Sequence, residues 1–348
     1  MKTLVAVPTF NNISSGYTIN QTLEGLTSQK WKDFRLLVIY KHHPQDQTLE
    51  IVDKYKDTLD IEIIVQHEGY IEESMNLFFN AAKDYDIALT LDDDAIPSSD
   101  WLKQHIYLHE SFDKLGAIAG KVEPSSSPYK RGKILTQIYN SIGYDKPLFS
   151  VFRHYISYIN DIGLFVFFNP KLGTSVDQFF NDQNNFLENV SFILSTGIGG
   201  ANMSIKSKII KDFQLPCATT RGIGYEKVLA VHIIKQGFHT AAVNSCNVKH
   251  LERRGDSLSR ARSKFGRLAC GLENYIQPYL VNAFQEIDLA KLNRYKFLVS
   301  FYQKLRNTDY SKVALRGLSL SITAIEEQWQ PSRVRSMIAK YLEEYKSI

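Results

Sequence analysis

Residues 87–97 read Ile-Ala-Leu-Thr-Leu-Asp-Asp-Asp-Ala-Ile-Pro, an apolar run that ends in three consecutive carboxylates. Such a run is typical of a short strand buried on both faces. Two like charges about 4 Å apart cost about 4 kcal/mol in an effective dielectric of about 20, and a bound divalent cation removes that cost. Because side chains alternate along an extended chain, Asp92 and Asp94 are predicted to share a ligand while Asp93 faces the other way. The alternative is a solvated acidic turn that caps the next helix.

Four more apolar runs surround this one at near-regular spacing, at residues 4–7, 36–40, 61–65 and 117–122. Helical apolar patterns lie between them. Strand–helix–strand repeats with short connections predict an α/β fold with right-handed crossovers onto one mostly parallel sheet. Ligands bind such sheets beyond the carboxyl ends of the strands, so the residues after each strand are the candidates for a site.

Composition places the chain among ordinary globular proteins. The 348 residues are 44% hydrophobic and 22% charged, and the net charge of +4 is too small to indicate a nucleic-acid partner. Three cysteines without a C-x-x-C pair indicate neither a zinc ribbon nor a disulfide framework. With no signal peptide and no apolar stretch long enough to cross a bilayer, we expect a soluble, cytoplasmic protein with at most a peripheral contact at the inner face of the membrane.

The turn after the first run has no glycine-rich phosphate loop. Residues 8–12 read Pro-Thr-Phe-Asn-Asn and match neither G-x-G-x-x-G nor G-x-x-x-x-G-K-[ST]. This argues against a dehydrogenase and against a P-loop kinase. Thr9 and Asn11 offer side-chain hydrogen bonds at the end of a strand, although an ordinary turn has the same composition.

The segment V-x-V-P-T-F-N at residues 5–11, followed by L-D-D-D-A-I-P at 91–97, resembles the GT-A glycosyltransferases of the inverting family 2. The resemblance implies a Rossmann-like, mostly parallel sheet flanked by helices. It makes residues 1–285 the catalytic domain, with a nucleotide-binding half at 1–120 and an acceptor and catalytic half at 121–285. Residues 286–348 follow as a helical C-terminal extension, with predicted helices at 289–305, 310–326 and 331–348.

The same resemblance implies a site for a nucleoside-diphosphate sugar, with a UDP- or GDP-sugar as the expected donor. The residues that it assigns to nucleotide-sugar binding are Pro8, Thr9, Asn11, Asn76, Asp92, Asp93, Gly199, Gly200 and Asn202. Asp94 and His250 would hold Mn²⁺ or Mg²⁺ on the diphosphate, and an imidazole ligand favours Mn²⁺. A structural role for His250 is the alternative.

Two departures from the family pattern affect this donor site. The Arg that the family places before Asn76 in the third helix is Met75 here. The acidic turn after the second strand is replaced by Tyr-Lys-His-His-Pro at residues 40–44. The identity of the base therefore stays open, and Lys41 or His42 is an alternative contact to the donor.

Glycines are concentrated in residues 195–202, which read Ser-Thr-Gly-Ile-Gly-Gly-Ala-Asn and precede a predicted helix from about residue 206. Their backbone N–H groups can approach a ligand closely. The run resembles the family's loop beside the donor sugar and acceptor. A flexible turn is the alternative.

Glu226 is the candidate catalytic base. The resemblance implies an acidic residue at a helix start, about eleven residues before a C-capping glycine, and counting back from Gly237 reaches Glu226. The family has Asp there more often. A carboxylate can accept the proton of a sugar hydroxyl, and partial burial raises its pKa toward the working pH. The alternative is a Glu that only stabilises the helix N-terminus through the macrodipole.

Several other features have open roles. His105 and His109 lack the H-E-x-x-H pattern and are predicted to be buried structural residues. The aromatic-rich segment 123–190 would bind the acceptor or form an extra subdomain. A basic cluster would neutralise the leaving diphosphate or form a solvated helix face; it comprises Arg253, Arg254, Arg260, Arg262, Lys264 and Arg267. For the C-terminal helices, packing on the catalytic domain or in a homo-oligomer is favoured over a membrane contact.

The sequence therefore predicts an inverting, metal-dependent glycosyltransferase that moves a sugar from a nucleoside diphosphate to a hydroxyl of a glycan or lipid-linked acceptor. A sugar nucleotidyltransferase is one alternative, but residues 8–15 lack the Gly-rich, Lys- or Arg-bearing loop that it needs. A non-catalytic sugar or nucleotide binder on the same fold is the other alternative.

Overall fold

The computed structural model describes residues 1–123, 192–194, 198–243, 245–251, 263–306 and 308–346. The strands in these ranges are β1 (Thr3–Phe10), β2 (Arg35–Lys41), β3 (Ile61–Gln66), β4 (Ile87–Leu91), β5 (Ala95–Pro97), β6 (Leu115–Ala119), β7 (Val122–Glu123), β8 (Phe192–Leu194), β9 (Asn202–Lys206), β10 (His239–Val243) and β11 (Val248–His250). The helices are α1 (Ile19–Thr27), α2 (Thr48–Asp53), α3 (Ile71–Ala81), α4 (Trp101–Ser111), α5 (Tyr225–Lys235), α6 (Lys264–Asn274), α7 (Gln277–Asn282), α8 (Leu289–Arg306), α9 (Asp309–Glu326) and α10 (Pro331–Lys346).

One eight-stranded sheet dominates the described part of the chain, in the order β3-β2-β1-β4-β9-β6-β10-β8. β1 is parallel to β2 and to β4, β2 is parallel to β3, and β6 is parallel to β10. β9 is antiparallel to both of its neighbours, and β8 is antiparallel to β10. The predicted α/β fold with a mostly parallel sheet is therefore confirmed.

All five predicted strands are present, but the run at 117–122 is divided between β6 of the large sheet and β7 of a second sheet. The second sheet has the order β5-β11-β7 and lies beyond the carboxyl end of β4, since β5 follows the three carboxylates directly. Residues 239–250 are likewise divided between β10 and β11. The chain turns between them at Cys246, whose φ of 55° is left-handed.

The prediction of a helix from about residue 206 was wrong. Residues Asn202–Lys206 form β9, and only the single 3-10 turn Ser207–Ile209 follows. β9 is inserted between β4 and β6 and is buried along its whole length, so cross-strand pairing satisfies its backbone.

The core lies on both faces of the large sheet. Along β1, Leu4 and Ala6 pack into one hydrophobic cluster and Val5 and Val7 into the other, as the two-residue period of a strand requires. The cluster that contains Leu4 also receives α3, α5 and α6. It extends into the C-terminal helices through Val313, Leu318, Val334 and Ile338.

Three C-terminal helices, α8, α9 and α10, follow the predicted boundaries within two residues at each end. α9 packs on α6 and α7, and α10 packs on α6. In the described part of the chain, no helix has both the length and the apolar character that a membrane span requires.

Candidate active site

A cluster of two carboxylates and one imidazole lies at the carboxyl end of β4. The backbone leaves β4 at Asp92 and turns, with the Ala95 N–H donating to the Asp92 carbonyl at 3.0 Å. β5 then pairs antiparallel with β11 and sets Ala95 opposite His250. The Nε2 atom of His250 is thereby 3.5 Å from Asp92 Oδ2 and 3.4 Å from Asp94 Oδ1.

These three side chains have the ligand atoms that a divalent cation requires. Their candidate ligand atoms all lie within 4.8 Å of one another. The side chain of Asp94 is 4% exposed and that of Asp92 is 45% exposed, so the cluster opens to solvent on the Asp92 side. The hydrogen bond to Asp92 and the charge of Asp94 raise the pKa of His250 despite its burial. Two carboxylate oxygens with one imidazole nitrogen suit a divalent cation such as Mn²⁺.

Asp93 faces away from this cluster. Its Oδ2 atom accepts hydrogen bonds from the Thr9 hydroxyl and from the Asn12 amide, each at 2.6 Å. All three side chains are buried. Asn12, which the sequence did not single out, also accepts from the Ile19 N–H at 3.2 Å and so fixes the start of α1. The hydroxyl of Thr9 and the carboxylate of Asp93 thus join the ends of β1 and β4.

Asn11 lies beside this junction with a left-handed φ of 52°. Its Oδ1 atom is buried and has no hydrogen-bond partner among the described residues. Pro8 is partly buried and lies opposite Ile39 of β2. Of the residues assigned to the nucleotide after β1, Asn11 has the side-chain oxygen that is available for a further hydrogen bond.

A basic and aromatic surface follows the carboxyl ends of β1 and β2. The Lys41 ammonium donates to the Gly69 carbonyl and lies 5.2 Å from the ring centroid of Phe10 and 5.1 Å from that of Tyr70. Both rings are nearly half exposed. Lys41 therefore occupies the turn where the family has acidic residues. The ring of His42 lies edge-on against Tyr40 at 6.3 Å.

Arg335 of α10 reaches the N-terminal end of α3. Its Nη2 atom donates to Glu72 at 3.0 Å, its Nη1 atom donates to Glu73, and its guanidinium lies 5.1 Å from the ring centroid of Tyr70. Met75, at the position where the family has Arg, is buried in the core. The sequence contained no local signal for Arg335, because 263 positions separate it from Glu72.

Glu226 begins α5 next to the glycine run. Gly224 caps this helix with a φ of 94°, a conformation that favours glycine. Glu226 is partly buried and accepts a hydrogen bond from the Gly200 N–H. Burial raises the pKa of Glu226 to about 7, against a smaller opposing effect of its hydrogen bonds and of Lys227. Its carboxyl group is therefore balanced between its two protonation states near neutral pH.

Gly200 is in close contact with α5. A Cβ atom at this position would fall 1.7 Å from the Tyr225 hydroxyl and 3.6 Å from Glu226 Oε1. By contrast, a Cβ atom on Gly199 would meet nothing within 4 Å.

The backbone carbonyls of the glycine run bind β4 and the residue after it. The Gly200 carbonyl accepts a hydrogen bond from the Thr90 hydroxyl of β4 at 2.8 Å, and the Ala201 carbonyl accepts one from the Asp92 N–H at 3.3 Å. The glycine run thus joins the carboxylate cluster to Glu226.

Two buried carboxylates hold the loop that precedes α5. Glu273 accepts from Thr220 and Arg221 backbone N–H groups at 2.7 and 3.0 Å. Glu72 accepts from the Thr219 N–H at 2.9 Å, through the same oxygen that contacts Arg335. Burial raises the pKa of both carboxyls, that of Glu72 to about 7. This support of the Glu226 loop was not recognised from the sequence.

Two predicted donor-site residues have structural contacts instead. Both ends of the Asn76 amide bind the backbone of Leu215, at 3.0 and 2.8 Å. Asn202 is buried; its oxygen accepts from Trp101 at 2.8 Å, and its nitrogen donates to the Cys246 carbonyl at 2.7 Å. The side chains of Asn76 and Asn202 are thus hydrogen-bonded within the protein.

His105 and His109 are buried and hydrogen-bonded through the hydroxyl of Ser204, at 2.7 and 2.9 Å. Burial lowers their pKa to about 4 and about 3, so both are neutral structural residues, as predicted. Other predictions lie outside the described residues. These are the roles of residues 195–197, of Arg253, Arg254, Arg260 and Arg262, and of the aromatic segment apart from its first residue.

Comparisons with known proteins agree with this architecture. Residues 4–164 match the family model described as Glycosyl transferase family 2. The mannosyltransferase PcManGT from Pyrobaculum calidifontis, in complex with GDP-Man and Mn²⁺, is similar with a TM-score of 0.51 and 13% identity, over 98% of this chain and 84% of that chain. S. aureus TarS 1-349 in complex with UDP-GlcNAc has a TM-score of 0.49 and 14% identity, over 94% of this chain and 92% of that chain.

A second S. aureus TarS structure has a TM-score of 0.47 and 14% identity. The match covers 87% of this chain and 43% of the length of that TarS chain. No protein with a curated description matches significantly. The match of residues 4–164 and the fold shared with PcManGT show that this chain is similar to glycosyltransferases with a GT-A-like fold. Over residues 4–164, the match to the family model confirms the resemblance found in the sequence.

Proposed function

We propose that this glycosyltransferase is inverting and metal-dependent, with the cation at Asp92, Asp94 and His250 and with Glu226 as the catalytic base. The observation that supports the proposal best is the connection between these groups. Gly200 donates its N–H to Glu226, and the adjacent Ala201 accepts from the Asp92 N–H. The segment Gly200–Ala201 therefore sets the distance between the candidate cation site and the candidate base.

In this proposal Glu226 removes the proton from the acceptor hydroxyl as its oxygen attacks the anomeric carbon. The bond between that carbon and the diphosphate oxygen breaks in the same step, so the configuration inverts and the proton ends on the Glu226 carboxyl. A base with a pKa of about 7 suits this transfer near neutral pH. The Gly200 N–H fixes the orientation of the carboxylate, which helps to align the two reactants.

The bound Mn²⁺ or Mg²⁺ would supply Lewis-acid stabilisation of the negative charge on the diphosphate. Asp94 and His250 would hold the ion together with the more exposed Asp92. PcManGT, which shares the fold, is seen with GDP-Man and Mn²⁺. We therefore propose a UDP- or GDP-sugar as the donor and a hydroxyl of a glycan or a lipid-linked sugar as the acceptor.

Nucleotide binding tests the donor site first. The unfolding temperature is measured with UDP, GDP, CDP and dTDP, each with and without Mn²⁺. The proposal predicts a rise for one nucleotide that requires the metal and is lost in Asp94→Ala. The sugars of that nucleotide are then assayed for hydrolysis, and the anomeric configuration of the product is read by NMR. A retained configuration would refute the inverting mechanism, and no shift with any nucleotide would refute the donor site.

A further inference from the structure

Helix α8 has an apolar stripe that is exposed to solvent. Phe297 and Leu305 are each 70% exposed, and Leu298 and Phe301 are each 58% exposed. The opposite side of the helix packs on α9 and buries Leu292 completely. At about 100° per residue, the four exposed side chains cover an arc of about 100°, which is the width of a docking face. An apolar patch of this kind on a soluble protein marks an interaction surface.

Every charged residue of α8 is basic. Residues 289–306 contain Lys291, Arg294, Lys296, Lys304 and Arg306, with no Asp or Glu. On the helical wheel Arg294 falls within the apolar arc, while Lys304 and Lys291 border it on either side. Long basic side chains at such borders can extend their charges outward while their stems cover apolar surface. The stripe is therefore combined with a positive charge along its whole length.

This combination selects among possible occupants. A second copy packed face to face would bring Arg294 and Lys304 against basic residues, with no acidic residue of α8 to pair them. A spanning role does not fit, because α8 lacks the apolar length that a span requires. An anionic lipid surface satisfies both features, since it receives the apolar side chains below its headgroups and attracts the basic ones. We propose that α8 docks this protein on a membrane surface that contains anionic lipid.

Co-sedimentation of the full-length chain with vesicles tests the proposal. We expect the chain to pellet with phosphatidylcholine vesicles that contain phosphatidylglycerol, and to stay in solution with pure phosphatidylcholine. Because one basic residue contributes about a fivefold factor near an anionic surface, Arg294→Glu with Lys304→Glu should lower the partition coefficient about thirtyfold or more. The control pair Lys208→Glu with Lys211→Glu makes the same change of net charge at exposed positions elsewhere and should have little effect.

The apolar part of the surface has its own pair of variants. Phe297→Ser with Phe301→Ser should lower the partition coefficient at least tenfold, whereas Tyr107→Ser, at a 53% exposed position of α4, should not. All these positions are exposed, so the unfolding temperature should stay close to that of the native chain. The proposal is overturned if the native chain ignores anionic vesicles or if the α8 variants bind like their controls. It is also overturned if the native chain is a dimer that Phe297→Ser with Phe301→Ser converts to a monomer.

Discussion

The hydroxyl of Thr9 and the carboxylate of Asp93 form a 2.6 Å hydrogen bond that links the carboxyl ends of β1 and β4. Asn12 donates to the same carboxylate oxygen. The middle acid of the Asp92–Asp94 triplet thus joins two strands, while its two neighbours face His250. We therefore expect the same Asp→Asn substitution to reduce stability at Asp93 and to reduce cation affinity at Asp94.

Asp93→Asn should reduce stability and leave cation binding intact. Two buried donors would lose a charged acceptor, and hydrogen bonds to charged groups are stronger than those to neutral ones. We expect the free energy of unfolding to fall by about 1–3 kcal/mol. Urea titration measures the loss, and calorimetric titration with Mn²⁺ should give an affinity close to that of the native chain. An unchanged stability would contradict the structural role of Asp93.

Asp94→Asn is the matched change at the next position. It removes a ligand charge from the cation cluster, so the affinity for Mn²⁺ should fall at least about tenfold. Stability without the metal should not decrease, because the variant also relieves the repulsion between Asp92 and Asp94. Calorimetric titration with Mn²⁺ measures the affinity, and urea titration measures the stability. A variant that binds Mn²⁺ as tightly as the native chain would remove Asp94 from the site.

Glu226→Gln should greatly slow transfer without affecting donor binding. Removing a general base costs about 10²–10⁴-fold in rate. Because the folded pKa of Glu226 is about 7, the ionised and active form increases as the pH rises. In the native enzyme kcat/KM should therefore rise with pH to a plateau above about 7. The residual activity of Glu226→Gln should not show this rise with pH. A pH profile that is the same in both proteins would show that another group is the base.

Gly200→Ala should impair catalysis through a steric clash. The added methyl group would lie 1.7 Å from the Tyr225 hydroxyl, so the Tyr225 ring must move, and we expect this to disturb the neighbouring Glu226. A displacement of a catalytic group by about 1 Å can cost about 10²-fold in kcat. Tyr225→Phe removes the clashing oxygen, so the double variant should recover part of the rate. Gly199→Ala, where there is open space, is the control and should remain active.

Arg335→Met should destabilise the protein in a pH-dependent way. Glu72 would keep a buried charge without its cation, at a cost of about 1–3 kcal/mol. The folded pKa of Glu72, already raised to about 7, would rise further, and a raised carboxyl pKa makes stability fall as the pH increases through that value. The loss measured by urea titration should therefore be larger at pH 8 than at pH 6.

Arg333→Met on the same helix is the control for this effect. Its partner Glu327 lies 3.7 Å away and both side chains are more than half exposed, so the change should cost less than about 1 kcal/mol at either pH. If the two variants behave alike, the buried contact of Arg335 with Glu72 has no special role.

Local patterns predicted much of this structure. Continuous apolar runs identified β1, β2 and β4, which are buried on both faces. The run at 61–65 also identified β3, although this strand lies at the edge of the sheet and is only partly buried. Asp92 and Asp94 were singled out because they follow a buried strand, whereas Glu226 was assigned through the family resemblance. The contact between Asp94 and His250 depends on the pairing of β5 with β11, which no local pattern contains.

Polar residues inside the protein were harder to assign. Asn76 and Asn202 have the residue type of a ligand contact, but their amides bind backbone groups of distant segments. Only the left-handed turn at Asn11 decides that Asn12, and not its neighbour, points inward to Asp93. The turn at Cys246 between β10 and β11 also follows from tertiary pairing and not from propensity.

The contact of Arg335 with Glu72 has a consequence for biosynthesis. On the ribosome the strands and α3 are made long before α10, and N-terminal segments begin to fold first. Until α10 has emerged, Glu72 has no guanidinium to compensate its charge, and the loop at Thr219 lacks its finished support. A nascent chain can therefore assemble its sheet before the loop that precedes α5 has its complete support.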